Sequence, residues 1–238
     1  MKLLALDTST TACSVALQYD ETILERHVVQ AKEHTRLLIP MIREVLAEAG
    51  VSLPTLDAIV LGNGPGSFIG MRISASVAQG LAFGSRLPIV PVSSLAAIAA
   101  EAFLDPEVAN VLVAQDAHMD EVYLARFKRS PHGLPLAEGD TVLQPISRLA
   151  VAELGIGRWH AAGRGWTRYP ELLRLNEDCI SGPIEPEFPR ARFLLETGAA
   201  AFAQGKAIDA GQLSPFYVRS RVAARPRRQE PLQPPPDS

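Results

Sequence analysis

The sequence predicts an α/β fold of two lobes, each a βββαβα-type unit, the second reduced. Three observations predict it. Short apolar runs and helix-period stretches alternate in the first half in the order βββαβαβα. A strand ending in aspartate, followed by a second strand, occurs twice: Lys2–Asp7 then Cys13–Tyr19, and Asn110–Asp116 then Glu121–Phe127. The distance from Asp7 to Ala16 equals that from Asp116 to Ala125, as a duplicated unit would give. Finally, the apolar run Ala58-Ile59-Val60-Leu61 enters the glycine-rich turn Gly62-Asn63-Gly64-Pro65-Gly66 and then a helix, a strand-to-helix connection typical of parallel sheets.

Taken in order, Lys2–Asp7, Cys13–Tyr19 and Thr22–Val29 are close enough to be joined by hairpins. Lys32–Ala49 reads as a helix, with Leu38, Ile42 and Leu46 on one line and Leu37, Met41 and Val45 on the next. Gly50 ends it, and Pro40 predicts a kink in its first turns. Strand Ala58–Leu61 follows, then a helix capped by Ser67, strand Pro88–Val92, and a helix from Ser94 to about Phe103. In the second half Thr141–Gln144 is a weak third strand, Ser147–Leu154 a short helix, and Trp159–Ala162 a strand closed by Gly163 and Gly165. Ile180–Arg190 reads as a Pro-rich acidic loop and Phe188–Gln204 as the last long helix. Residues 1–104 form the first lobe and 105–221 the second, whose last helix packs back; 222–238 form an Arg/Pro-rich tail that composition reads as disordered or extended.

The helix after Ser67 carries two ridges. Ile69, Ile73, Val77 and Leu81 are large; Gly70, Ser74, Ala78 and Ala82 are small. A helix apolar on so much of its surface should pack on its own sheet and also on something else. The expectation is that the large ridge faces the sheet. The small ridge, with Leu38 and Met41 of the preceding helix, then faces a partner helix; the alternative is that it packs on that preceding helix within the chain.

At 47% hydrophobic and 21% charged, the chain has the composition of an ordinary soluble globular protein. Only four apolar residues separate Lys2 from Asp7, so no secretory signal is expected, and no run has the length of a membrane span. Cys13 and Cys179 form no C-x-x-C pair, which fits a reducing cytoplasm. The net charge of −3 is uneven: residues 219–238 hold five arginines and two acids, while the rest holds 18 Lys and Arg against 24 Asp and Glu. A basic tail on an acidic body suits an acidic or nucleic-acid partner, or simply a solvated tail.

Chemistry, if present, belongs at the turn Asp7-Thr8-Ser9-Thr10-Thr11, where hydroxyls and backbone donors beside a carboxylate could hold a phosphate or a metal-bound water. Asp116 would face it across the cleft, and two opposed aspartates suit a magnesium nucleotide. The competing reading is that Thr8, Ser9 and Thr10 only satisfy their own turn. The glycine-rich turn is neither a Walker loop, since its first base is Arg72, nor a G-x-G-x-x-G fingerprint. None of His27, His34, His118, His132 and His160 is paired at metal spacing, and G-x-S-x-G is missing.

Leu4-Ala5-Leu6-Asp7-Thr8-Ser9, Glu33-His34-Thr35, Gly64-Pro65-Gly66-Ser67-Phe68-Ile69-Gly70-Met71-Arg72-Ile73, Ala78-Gln79-Gly80-Leu81, Val92-Ser93-Ser94-Leu95, Asp116-Ala117 and Pro215-Phe216-Tyr217-Val218-Arg219 together resemble the bacterial TsaB (YeaZ) family. The likeness reaches to about Arg221 and leaves the tail beyond Ala224 uncovered. It implies a two-lobed fold of the actin, Hsp70 and sugar-kinase (ribonuclease H-like) class. It also implies a non-catalytic scaffold or activator role in making threonylcarbamoyladenosine beside the anticodon of tRNAs reading codons that start with adenine. The implied partners are the catalytic homologue TsaD, the ATPase TsaE, a second copy of the chain, and tRNA through the complex. The implied interface lies on the two helices at Thr35–Ala49 and Ser67–Phe83, with His34, Leu38, Met41, Gly70, Arg72, Ser74 and Ala78 as its candidate residues. No cofactor is implied: ATP and metal belong to the partner subunits, and Asp7, Thr8, Ser9 and Asp116 keep at most weak, vestigial nucleotide binding. The catalytic homologue has two metal-ligand histidines where this chain has Ser94 and Ile98, so no metal site is expected. The alternative class is an ATP-dependent small-molecule kinase or ATPase of the same fold. A third reading is a tRNA-binding module using the Arg-rich tail.

Overall fold

The computed structural model describes residues 1–30, 32–148 and 158–218. Its first sheet has the order β3-β2-β1-β4-β5, from β1 (Leu3–Asp7), β2 (Ala12–Tyr19), β3 (Thr22–Val29), β4 (Ala58–Gly62) and β5 (Ile89–Val92). The first three strands run antiparallel through hairpins, and β4 and β5 add on parallel to β1. The central strands β1 and β4 are buried along their whole length, as their unbroken apolar sequence requires. Helices α1 (His34–Ala49) and α2 (Phe68–Ser85) cover one face. Gly50, in the left-handed region at φ 64°, closes α1, as read from the sequence. Pro40 does not break α1; it lies on the exposed face and the helix runs through it.

The second sheet repeats the plan. Its order is β11-β10-β6-β7-β8, with β9 also on β7, from β6 (Asn110–Asp116), β7 (Glu121–Arg129), β8 (Pro135–Ala137), β9 (Val142–Pro145), β10 (Trp159–Ala162) and β11 (Ile180–Pro183). Strand β6 takes the place of β1, and β10 and β11 follow it in parallel as β4 and β5 follow β1. The repeated turn is one residue shorter: Asp7 stands opposite Ser14, but Asp116 opposite Val122. Equal spacing to the two alanines therefore marks a shared plan and not a shared register. Where the first unit has α2, the second has the short helices α4 (Arg164–Arg168) and α5 (Pro170–Leu175). Strand β11 occupies the segment expected to be loop. The expected helix Ser147–Leu154 shows one turn at Ile146–Arg148, and its remainder lies outside the described residues.

The lobes exchange helices. α3 (Ser94–Ala102) packs on the second sheet, with Leu95, Ile98 and Ala99 against Val111 and Val113. α6 (Arg192–Ala203) returns to the open face of the first sheet, with Ala191, Leu194 and Leu195 against Leu3, Ala5 and Val60. Arg190, just before α6, pairs with Glu25 of β3 and, at 3.2 Å, with Glu101 of α3. Chain beyond α6 stays with the first lobe: Ile208 bridges to Ile89, and Gln79 of α2 donates to the Ala210 carbonyl over 3.0 Å. A cut between residues 104 and 105 thus separates the sheets but not the helices that cover them.

Candidate functional site

The glycine-rich turn is seated on the first hairpin. The Ser67 amide donates to the Ser9 carbonyl at 2.6 Å, and the Thr8 hydroxyl donates to the Gly70 carbonyl at 2.7 Å. A Cβ at Gly66 would lie 2.1 Å from the Ser9 carbonyl oxygen, and one at Gly70 2.0 Å from that of Thr8. Only hydrogen at these α-carbons lets the two backbones touch. Ser67 caps α2 as expected, its hydroxyl accepting from the Gly70 amide at 3.2 Å.

This contact covers the turn weighed above as a phosphate or metal-water site. Asp7, Thr8 and Ser9 are 1%, 0% and 1% exposed. One Asp7 oxygen accepts from both the amide and the hydroxyl of Ser9, each at 2.8 Å. Burial pushes the Asp7 carboxyl up to about 6, against the opposing pull of Ser94 and Ser9. Asp116 is engaged in its own turn, accepting from the His118 amide at 2.9 Å and the Tyr169 hydroxyl at 3.0 Å. Asp7, Thr8 and Ser9, for which at most weak, vestigial nucleotide binding is expected, are covered by α2 and its leading loop. The alternative that the hydroxyls satisfy local backbone describes the geometry. Ser94 and Ile98 are fully buried as well, Ser94 accepting from the Gly64 amide at 3.0 Å. Among the described residues no cluster of three or more His, Cys, Asp or Glu is placed to hold a metal ion.

A correction concerns α2. Gly70, Ser74, Ala78 and Ala82, expected to face a partner, are the buried side, against the first sheet and its turn. Ser74 is 0% exposed and its hydroxyl donates to the Met71 carbonyl at 3.2 Å. Leu38 and Met41, expected to complete the contact, are core residues at 0% and 4%. Of the large ridge, Ile69 stands out at 69% exposed, while Ile73, Val77 and Leu81 are half-buried along the edge of the same core. The reason is steric: a helix whose first turn rests on the Thr8 carbonyl must present its smallest residues to that side.

Between α1 and α2 this leaves an apolar groove of about 400 Å³. Ile39 of α1 and Phe68, Ile69, Ile73 and Val77 of α2 line it above Leu38, with His34 and Arg72 also in its wall. Burial holds the His34 imidazole below its usual range, so the ring is neutral at pH 7. Farther along α2, Phe83 is 84% exposed. Of the expected interface residues, His34, Leu38 and Arg72 reach the groove, while Met41, Gly70, Ser74 and Ala78 lie beneath it.

The C-terminal strap finishes one end of the groove. Asn63 donates from its side chain to the Ser214 carbonyl at 3.1 Å and accepts the Phe216 amide at its own carbonyl, 3.3 Å away. The Tyr217 ring then lies 5.4 Å from that of Phe68, and Arg72 Nε donates to the Tyr217 hydroxyl at 3.0 Å. The Arg72 guanidinium sits 3.8 Å over the Phe68 ring. Sequence reasoning placed neither Phe68 nor Tyr217 in the site; both occur in the quoted family segments, and that was the available signal.

Comparison with known proteins agrees with this geometry. Residues 27–163 match the sequence model of the family described as TsaD, tRNA N6-adenosine threonylcarbamoyltransferase. The tRNA threonylcarbamoyladenosine biosynthesis protein TsaB of Escherichia coli (strain K12) is 37% identical, covering 94% of this chain and 96% of that protein. The protein of that name from Haemophilus influenzae is 36% identical over 93% and 95%. The solved structure of YeaZ from Pseudomonas aeruginosa superposes with a TM-score of 0.83 at 39% identity, covering 91% of this chain and 99% of that one. With a buried Asp-Thr-Ser turn, an outward apolar groove and near full-length identity of this order, the chain belongs to the TsaB (YeaZ) family.

Proposed function

We propose that this chain is the non-catalytic pairing subunit in the synthesis of threonylcarbamoyladenosine on tRNA. It docks the α1–α2 groove on a TsaD-like catalytic homologue, and a TsaE-like ATPase completes the assembly. The observation that carries this reading is the apolar groove between α1 and α2, walled by exposed Ile69 and half-buried Ile73 and Val77, beside a buried Asp7-Thr8-Ser9 turn. Apolar side chains standing open on a helix pair are what a partner of the same fold would cover. A second copy of the chain can use the same face, so homodimer and heterodimer compete. The kinase or ATPase alternative needs a phosphate at Asp7, and Thr8 and Ser9 reach solvent only if α2 lifts away. Nucleotide and metal are therefore assigned to the partners, and tRNA enters through the complex. The work is done in the cytoplasm; among the described residues no helix is long and apolar enough to cross a membrane.

The test is reconstitution. The chain, the catalytic homologue and the ATPase are combined with ATP, threonine-derived donor and an unmodified tRNA. Modification is expected only with the chain present, and ATP turnover by the chain alone is expected to be negligible. Turnover by the isolated chain that disappears in Asp7→Ala would overturn this reading in favour of the kinase class.

A further inference from the structure

Two residues in the wall of the groove differ in kind from the rest. Ile39, Ile69, Ile73 and Val77 are β-branched and stiff at χ1 without help. Phe68, at the first position of α2, and Arg72, one turn later and exposed, are larger side chains with more freedom. Tyr217 touches both. We propose that Tyr217 is a positioning residue of the pairing site. It holds Phe68 and Arg72 in the shape that a helix of the catalytic homologue meets, so that the C-terminal strap forms the end wall of the groove. This rests on the pairing reading above.

The strap is anchored on both sides of Tyr217. Before it, Leu213 is buried in the first-lobe core, and Gln79 of α2 donates to the Leu213 carbonyl at 3.4 Å. The bonds to Asn63 then fix Ser214 and Phe216. After it, Val218 packs against the second-lobe core. The backbone at Tyr217 is therefore set by its neighbours, and the side chain is left to act at the groove. At 38% exposed, the ring is not a core residue. Its hydroxyl is directed to a side chain, accepting from Arg72 Nε at 3.0 Å. The Arg72 guanidinium is thus held from three directions: by that bond, by the Phe68 ring at 3.8 Å and by the Tyr217 ring at 5.9 Å. Phe68 is gripped in turn, its ring centre 5.4 Å from that of Tyr217. An arginine free on a helix surface samples many rotamers, and ordering it on association subtracts from affinity. Here that ordering is complete in the monomer, through contacts the partner does not have to supply. A preformed wall suits a rigid occupant, the apolar face of a helix laid along α2. The competing reading makes the strap a staple of the fold alone; the exposure of Tyr217 and its grip on two wall residues favour the positioning role.

The experiment measures affinity of the full-length chain for the catalytic homologue by titration calorimetry, well below the unfolding temperature. Wild type is compared with Tyr217→Ala, Tyr217→Phe, Arg72→Ala, the variant carrying both alanines, and Ile69→Asp, and the Tm of each chain alone is recorded. Tyr217→Ala is expected to weaken association about tenfold, since two side chains must then be ordered on binding. The chain should stay folded at the assay temperature, because the strap keeps its anchors at Leu213, Asn63 and Val218. Tyr217→Phe keeps the ring and loses only an exposed hydrogen bond, so it should remain within about threefold of wild type. Arg72→Ala should also weaken association, and the double variant should be weaker than the worse single variant by no more than about twofold, as for residues acting as one unit. Wild-type affinity in Tyr217→Ala, with Ile69→Asp impaired, would leave the groove as the pairing site and overturn the role of the strap. Additive losses would overturn it too, by showing that Tyr217 and Arg72 meet the partner separately. Undiminished association in Ile69→Asp would remove the pairing reading and this one with it. If Tyr217→Ala is unfolded at the assay temperature, Arg72→Ala decides, being a change at an exposed position: wild-type affinity there overturns the proposal.

Discussion

The Thr8 hydroxyl donates to the Gly70 carbonyl over 2.7 Å, joining residues 62 positions apart. The same two residues touch again through the Thr8 carbonyl, which a Cβ on Gly70 would meet at 2.0 Å. One contact thus covers the Asp7-Thr8-Ser9 turn, chooses the buried face of α2 and leaves Ile69 of the large ridge in solvent. The loss of one surface and the gain of the other are a single steric event.

Gly70→Ala should accordingly destabilise the monomer, because its methyl meets backbone and not a flexible side chain. Overpacking of this kind costs about 1–3 kcal/mol, a fall in Tm of about 3–10 °C for a chain of this size. Gly80, in the same helix, has nothing within 4 Å of its added Cβ. Gly80→Ala should raise monomer stability by about 1 kcal/mol through helix propensity. Thermal unfolding of the two variants checks both signs.

Most of the first lobe was legible because its signals are local. Ser67 and Ser93 accept from the amides of Gly70 and Ala96, and Gly50 adopts the left-handed conformation that ends α1. The orientation of α2 was not legible. Its residues are apolar on all sides, so periodicity alone could not say which ridge faces the sheet; the deciding neighbour, Thr8, is far away in sequence. β11 was missed because Gly182 and Pro183 read as loop in a strand of only 4 residues. α6 begins later than read, since Pro189 disfavours helix at the residue before it. The strap on Asn63, Phe68 and Arg72 depends on contacts across about 150 positions, which no short-range pattern carries.

Asp7 predicts a pH dependence with a definite sign. Its carboxyl is raised from 3.8 unfolded to about 6 in the fold, so the neutral form is the one favoured in the native state. The stability this contributes is complete below pH 4 and lost as pH rises through 6, amounting to about 3 kcal/mol. Asp7→Asn keeps an acceptor for Ser9 and cannot ionise. Urea unfolding at pH 5 and pH 7.5 should find the variant gaining on wild type at the higher pH by about 1.4 kcal/mol. An equal difference at both pH values would show that Asp7 is already ionised in the folded state at pH 5.

Arg190 predicts a second, inter-lobe dependence. Burial raises the Glu101 carboxyl above its ordinary value while Arg190 pulls it back. Arg190→Met would leave Glu25 and Glu101 close together without their shared cation. Because Arg190 is about a third exposed, the loss should be about 2 kcal/mol, below that of a fully buried pair. Protonation of Glu101 relieves the repulsion, so the defect should grow as pH rises from 5 to 8. Chemical denaturation at the two ends of that range measures it; a defect independent of pH would assign it to lost packing on Phe193 alone.

The pairing face is tested by two neighbouring residues of α2 with opposite expectations. Ser74 is sealed in the monomer, so Ser74→Leu should cost the monomer about 1–3 kcal/mol and appear first as a lower Tm. Ile69 is exposed in the first turn of α2, where a carboxylate meets the positive end of the helix dipole. Ile69→Asp should therefore leave monomer melting unchanged or slightly raised. In a complex, the same carboxylate would be buried in the apolar groove, where the nearby Arg72 is already engaged by Phe68 and Tyr217, a penalty of about 2–3 kcal/mol. Association should then weaken about 30- to 150-fold. Sedimentation of wild type and both variants, alone and with the catalytic homologue, separates the effects. Loss of association in Ile69→Asp at constant Tm is the expected result; undiminished association would move the pairing surface off this groove altogether.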